Sequence, residues 1–275
     1  MLKLGKHALN LDRPKVMGIL NVTPDSFSDG GKFATTAAAL EQAELMVDAG
    51  ADVIDVGGES TRPGSNETSL QEELDRVMPV IQGIINRFDI PISIDTSKPE
   101  VMRSAVDAGA SMINDIFALR REGAIEAAVA AAVPVCLMHM LGLPRSMQSA
   151  PEYAALPQEI IDFLAKRVDA CVTAGLGRDL LVVDPGFGFG KNDGHNLEIL
   201  AKLDQFAALG LPLLVGLSRK RTLGNLTGRP ADQRVAAGVA AAVVAAENGA
   251  NIIRTHDVAE TVDAFKVIGA LRQYG

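Results

Sequence analysis

The sequence predicts a single (β/α)8 barrel, and three observations predict it. Eight short apolar runs, at 16–21, 53–57, 91–95, 112–115, 134–139, 180–184, 213–218 and 252–256, are spread along 275 residues. They are near-continuous rather than alternating, as parallel strands covered on both faces require. One pattern also recurs: GADVID at 50–55, GASMIN at 109–114 and GANIIR at 249–254. Each is a helix-stopping glycine followed by a short strand that ends on a polar residue. Seven helical stretches separate the runs and an eighth follows the last, which suits a closed α/β barrel of this length.

In chain order, residues 1–15 mix Lys3, Lys6, Asp12, Arg13 and Lys15 with single apolar residues and contain no signal-peptide core. They are expected as an N-terminal extension covering the barrel base. The strand 16–21 then opens into a polar loop at 22–31, where Thr23-Pro24 and Gly30-Gly31 exclude regular structure. Helix starts are marked by Ser69 with Glu72, Ser97 with Glu100 and Asp257 with Glu260, each a capping residue with an acid three positions on. After Ser69, the residues Leu70, Leu74, Val77, Ile81 and Ile84 fall on one stripe. The helices from Thr36, Ile160 and Asp232 show weaker stripes because alanine dominates them. The run 235–246 is too short to span a bilayer and reads as a closely packed helix. No linker divides the chain, so residues 1–275 read as one domain.

Composition narrows the function. A chain 48% apolar and 22% charged is globular. Its net charge of −8 argues against nucleic acid or an anionic membrane as partner. Only Cys136 and Cys171 occur, without C-x-x-C spacing, so a reduced, cytoplasmic setting is expected.

Active sites of such barrels lie at the C-terminal ends of the strands. The sequence places Asn21, Asp95, Asn114, His139, Asp184, Lys220, Arg254 and His256 there. Each has a plain structural reading: Asn114-Asp115 suits a helix cap, His139 a hydrogen-bonded core histidine, and Asp55 an orienting residue. Their convergence on one rim is harder to assign to packing. Asp95, Asn114 and Asp184 offer oxygens to a heterocycle rich in N–H donors. Arg62, Lys220, Arg254 and His256 offer cationic donors to phosphate. Asn21, with Asp25 and Asp29 of the following loop, suits a hard cation such as Mg²⁺, its shell completed by substrate phosphate.

Three motifs are set aside. The segment DPGFGFGK at 184–191 lacks the glycine and hydroxyl positions of a phosphate loop. No His/Cys spacing supports catalytic zinc. Ser60 and Ser218 lack the G-x-S-x-G elbow of a nucleophilic serine.

Taken together, MGILNVTPDSFSDGG at 17–31, GGESTRPG at 57–64, IDTSKPE at 94–100, DPGFGFGK at 184–191, SRK at 218–220 and IRTHD at 253–257 resemble dihydropteroate synthase. The resemblance runs in order from about residue 16 to about residue 270. It implies condensation of 6-hydroxymethyl-7,8-dihydropterin diphosphate with p-aminobenzoate, releasing diphosphate, in folate synthesis. It further implies Asp95, Asn114, Asp184, Lys220 and Arg254 as pterin contacts, and Asn21 as the Mg²⁺ ligand. Asn21, Thr61, Arg254 and His256 become diphosphate contacts, while Phe27, Thr61, Arg62, Pro63, Phe189 and Arg221 serve the p-aminobenzoate pocket and its loops. Asp95, Lys220, Arg254 and His256 carry the catalytic roles, and a homodimer is expected. Arg221 stands where relatives often have serine, which leaves open how the p-aminobenzoate carboxylate is held.

An arylamine is already unprotonated at neutral pH, so positioning and leaving-group stabilisation matter more than a general base. The loops at 22–31 and 58–65 are expected to order around bound diphosphate, so that p-aminobenzoate binds late. Competing readings are a pterin-dependent methyltransferase barrel, a Schiff-base aldolase using Lys220, and a pterin binder without catalysis. Turnover with methyltetrahydrofolate, borohydride trapping and diphosphate release separate them.

Overall fold

The computed structural model describes residues 1–23, 32–60, 67–142, 147, 151–272 and 274, with residues 32–35 as backbone only. A two-stranded antiparallel hairpin, β1 (Leu2–Leu4) and β2 (His7–Leu9), opens the chain. The eight strands of the barrel follow: β3 (Lys15–Asn21), β4 (Val53–Gly57), β5 (Ile92–Asp95), β6 (Met112–Asp115), β7 (Val135–Met138), β8 (Leu181–Asp184), β9 (Leu214–Val215) and β10 (Ile252–Thr255). Each pairs in parallel with its sequence neighbour from β3 to β8, β9 pairs with β10, and β10 returns to β3. The last seam is closed by a single bridge between Val183 and Leu213. All eight expected runs are therefore strands: those at 53–57 and 112–115 match end to end, the first begins one residue earlier, and the other five are shortened at one end or both, the run at 213–218 keeping only two residues in β9.

Alternation hidden in those runs decides what faces inward. Met17, Val53, Met112, Cys136, Val182, Leu214 and Ile252 form one buried cluster with Leu2, Leu4 and Leu9 of the hairpin. The extension thus lies against the lowest inward layer of the barrel. Side chains two residues further along a strand share its face. That places Asp55, Asn114, Asp184 and Arg254 on the inward face above an apolar floor. Val16, Leu20, Ile54, Val56, Ile113 and Val135 belong instead to the larger cluster packed against the helices.

The helices are α1 (Lys32–Asp48), α2 (Leu70–Arg87), α3 (Pro99–Asp107), α4 (Ala124–Ala131), α5 (Gln158–Thr173), α6 (Asp193–Ala201), α7 (Arg221–Thr227), α8 (Val235–Glu247) and α9 (Val258–Leu271). α7 is an additional short helix between β9 and α8, not expected from the sequence. Ser69 and Glu72 form a full capping box on α2. Leu70 is exposed rather than part of that helix's buried stripe; Val77, Val80, Ile81 and Ile84 are buried with the acid Glu73. The other two expected caps differ. Pro99 takes the first position of α3, so Lys98 becomes its cap and Ser97 stays outside. Asp257 does precede α9, but its side chain makes no cap bond, because its carboxylate holds Arg219 at 2.6 Å.

Candidate active site

The rim is assembled by strand register. Asn21 lies opposite Gly57, Gly57 opposite Asp95, and Asp95 opposite Asn114, so four adjacent strands end level. A side chain at Gly57 would contact both Asn21 Oδ1 and the Asp95 carboxylate, at 3.7 and 3.6 Å. Arg254 reaches across this row from β10. Its Nε donates to Asp55 Oδ2 and its Nη2 to Asp95 Oδ2, both at 2.6 Å. Asn114 Nδ2 donates to the same Asp55 oxygen at 3.0 Å. Asp55 is fully buried and, as expected, orients its neighbours; its Oδ1 has no partner among the described residues.

Electrostatics follow from burial. Desolvation lifts the Asp95 carboxyl to about 7, opposed by Arg254 and reinforced by Asp55. Desolvation also raises Asp184, opposed by the Gly186 N–H that its Oδ1 accepts at 2.7 Å. Arg254 remains a cation because Asp55 and Asp95 outweigh its burial. Burial brings Lys220 down to about 8, with Asp184 pulling the other way.

Lys220 sits at the junction of β9 and α7, where the chain turns through Arg219 in a left-handed conformation, φ 58°. A non-glycine residue holds that geometry only if its surroundings fix it. Here Asp257 accepts from both Nε and Nη2 of Arg219, and Arg234 Nη1 donates to the carbonyls of Arg219 and Lys220. The Lys220 ammonium donates to the Phe187 carbonyl and lies 4.4 Å from the centre of the Phe189 ring.

His256, the residue after β10, meets Ser218 Oγ through Nδ1 at 3.1 Å, and its backbone N–H donates to the same oxygen. Asp257 touches that serine at 3.4 Å and holds Arg219. Arg221 is exposed at the first position of α7, close enough to help lower the Asp193 carboxyl behind the hydrogen bonds from Asn225 and Thr222.

The structure therefore joins Arg254 to Asp95 directly and to Asn114 through Asp55, sets Asn21 beside Asp95, and couples Lys220 to Asp184 and Phe189. Phe27, Thr61, Arg62 and Pro63, with Asp25 and Asp29, lie outside the described residues. Asn114 and Asp115 divide the two roles weighed for them. Asn114 faces the site, while Asp115 caps the following turn by accepting from Phe117 and Leu119 N–H. His139 is a core histidine: its Nδ1 accepts from Lys191 Nζ at 2.8 Å, and its ring meets Phe163 edge-on.

Lys191 itself was not anticipated. It is 1% exposed, and its ammonium also donates to the carbonyls of Gly186 and Phe189 at 3.0 and 3.1 Å. The glycine-rich segment set aside as a failed phosphate loop is a cation cradle. Its left-handed glycines, 186, 188 and 190, alternate along the segment, and two of its carbonyls converge on the lysine. Sequence offers one weak signal for this, a lysine closing a run of alternate glycines.

Comparison with known proteins completes the picture. The family profile of pterin binding enzymes matches residues 17–256. The dihydropteroate synthase of Escherichia coli K12 is 52% identical over 263 residues, covering 96% of this chain and 93% of that protein. The Yersinia pestis dihydropteroate synthase, solved with a sulfonamide drug complex, superposes with a TM-score of 0.95 at 51% identity, covering 100% of this chain and 99% of that one. The Xanthomonas albilineans dihydropteroate synthase, solved with 4-aminobenzoic acid, gives 0.94 at 50% identity, covering 98% and 97%. With a barrel rim built from the motif residues themselves, the chain belongs to the pterin-binding enzymes and, among them, to the dihydropteroate synthase family.

Proposed function

We propose that this chain condenses 6-hydroxymethyl-7,8-dihydropterin diphosphate with p-aminobenzoate to give 7,8-dihydropteroate and diphosphate, through the rim residues described above. The observation that carries the residue assignment is the meeting of two donor sets on one rim. Asp95, Asn114 and Asp184 suit the pterin's N–H edge, and Lys220, Arg254 and His256 suit its carbonyl and its phosphates.

The arylamine nitrogen attacks the pterin's exocyclic methylene carbon. The carbon–oxygen bond breaks with its electron pair leaving on diphosphate, and the new ammonium loses a proton to solvent. Asp184 accepts ring N–H bonds, Asn114 fixes the ring edge, and Lys220 donates to the ring carbonyl. Arg254 uses Nε and Nη2 on Asp55 and Asp95, which leaves its Nη1 protons for phosphate, and His256 adds a donor beside it. Asp95 places negative charge near the carbon that becomes electron-poor.

Mg²⁺ would be held at Asn21 Oδ1. A hard cation bound through one protein oxygen takes the rest of its shell from phosphate and water. Asn21 Oδ1 lies on the rim level with the Asp95 carboxylate, an oxygen donor of the kind a hard cation takes. When bound, Mg²⁺ would neutralise charge on the leaving diphosphate.

We also read the chain as a cytoplasmic homodimer. Exposed Val244 on α8 and Val267 and Leu271 on α9 support self-association, and the buried free thiols of Cys136 and Cys171 support a reducing compartment. No helix among the described residues is long and apolar enough to cross a membrane.

The deciding experiment is diphosphate release from the purified chain. It is expected to require the pterin diphosphate, p-aminobenzoate and Mg²⁺ together. Release that persists without p-aminobenzoate would overturn the condensation, and release unaffected by chelation would overturn the metal. Sedimentation velocity tests the dimer.

A further inference from the structure

Asn196 lies on α6, away from the residues assigned to substrate, and is 3% exposed. Its Oδ1 accepts from the backbone N–H of Gly188 at 2.8 Å. Its Nδ2 donates to Thr222 Oγ1 at 3.0 Å and to the Asn192 carbonyl at 2.9 Å. Both amide protons are therefore used, and the amide oxygen is engaged. Thr222 passes its own hydroxyl proton to Asp193 at 2.7 Å, and Asn225 donates to the other oxygen of that carboxylate at 2.7 Å. A continuous hydrogen-bonded chain thus runs from Gly188 through Asn196 and Thr222 to Asp193.

What this chain joins is informative. Gly188 stands between Phe187, whose carbonyl accepts from Lys220, and Phe189, whose ring lies against the Lys220 ammonium. Thr222 stands two residues beyond Lys220, in the first turn of α7. The gap between these segments has no slack: a side chain at Gly188 would come within 3.1 Å of Lys220 Cδ. Leucine at 196 would take away the acceptor that the Gly188 N–H has in the Asn196 amide. Aspartate would keep that acceptor but set its lone pairs against the Asn192 carbonyl.

We propose that Asn196 is a positioning residue that fixes the distance between the Phe187–Phe189 wall and the Lys220–Thr222 turn, and with it the fit of p-aminobenzoate beside Phe189. The inference rests on the functional reading above. It weighs on the two substrates unequally, because the pterin contacts Asn114 and Asp184 are carried by strand register, and Lys220, the pterin contact on the bridged turn, keeps its own bond to the Phe187 carbonyl.

The test is steady-state kinetics on the full chain, comparing the parent with Asn196→Leu and Thr222→Val, together with thermal midpoints. Thr222→Val cuts only the helix half of the bridge with an isosteric side chain, so it decides the matter should Asn196→Leu not fold. The KM for p-aminobenzoate is expected to rise roughly fivefold, the equivalent of one ordinary hydrogen bond. The KM for the pterin diphosphate should stay within about twofold. A merely structural role lowers the folded fraction, which reduces kcat and leaves both KM values in place. Thr222→Val with a p-aminobenzoate KM within about twofold of the parent, or with both KM values rising together, overturns the proposal. A parent chain that releases no diphosphate would instead overturn the functional reading.

Discussion

Asp184 is engaged before any substrate arrives, since its Oδ1 already accepts from Gly186 N–H. Removing it costs more than a ligand contact. Asp184→Ala should weaken pterin binding roughly a hundredfold, for two lost charge-assisted bonds, and also destabilise the fold by about 1–3 kcal/mol for the orphaned N–H. Asp184→Asn keeps an acceptor for Gly186, so it should lose pterin affinity at nearly unchanged stability. Calorimetry with urea unfolding separates the two variants, and equal stability in both would refute the dual role. His139 gives a second prediction. Burial, then the neighbouring Lys191 and Arg120, pushes its imidazole down to about 2. A depressed folded value means that the stability from the neutral ring is complete above the unfolded pKa, near 6.5, and is lost as pH falls from there towards 2. The loss is about 1.4 kcal/mol per pH unit, because only the unfolded histidine takes up a proton. His139→Asn should therefore flatten the stability curve between about pH 6 and pH 3. Parallel curves for parent and variant would show that the ring titrates normally.

At the scale of elements, the strands were legible and their facing was not. Each apolar run announced a buried strand and its closing polar residue, because parallel strands covered on both sides need continuous apolar character. The same continuity hid which residues point inward, so Asp55 could be read only as an orienting group. Capping signals proved reliable where nothing competed for the side chain, as at Ser69, and misleading where a proline or an ion pair took over, as at Ser97 and Asp257. Ser69→Ala should accordingly cost about 1 kcal/mol in urea unfolding with kinetics unchanged. Gly186 marks the opposite case. It adopts φ +70°, and a Cβ there would overlap the His139 carbonyl oxygen. Gly186→Ala should cost more than the roughly 1–3 kcal/mol of a strained backbone and should also release the Asp184 acceptor. A variant with full stability and full pterin affinity would show that the loop is not held as described.

For the whole molecule, floor and rim are separable. Leu4 is fully buried between the hairpin and the inward residues of the barrel, on the floor layer rather than at the rim. Leu4→Ala should lower stability by about 2–5 kcal/mol and leave both KM values unchanged. A KM shift without loss of stability would mean that the floor communicates with the site. The rim, by contrast, depends on strand register, where Asn21, Gly57, Asp95 and Asn114 stand level across four strands. Because the side-chain period is two, removing one residue upstream within a strand turns the site residue towards the helices and its apolar neighbour towards the substrate. Substitution and deletion therefore have different consequences in this chain. Conservative exchanges among Val, Ile and Leu within β3 to β6 should be accepted, whereas any one-residue deletion there should abolish pterin binding, even where the lost residue touches nothing polar. A deletion library scored for pterin binding would expose this, with β3 to β6 appearing as four blocks that accept changes of letter but none of length.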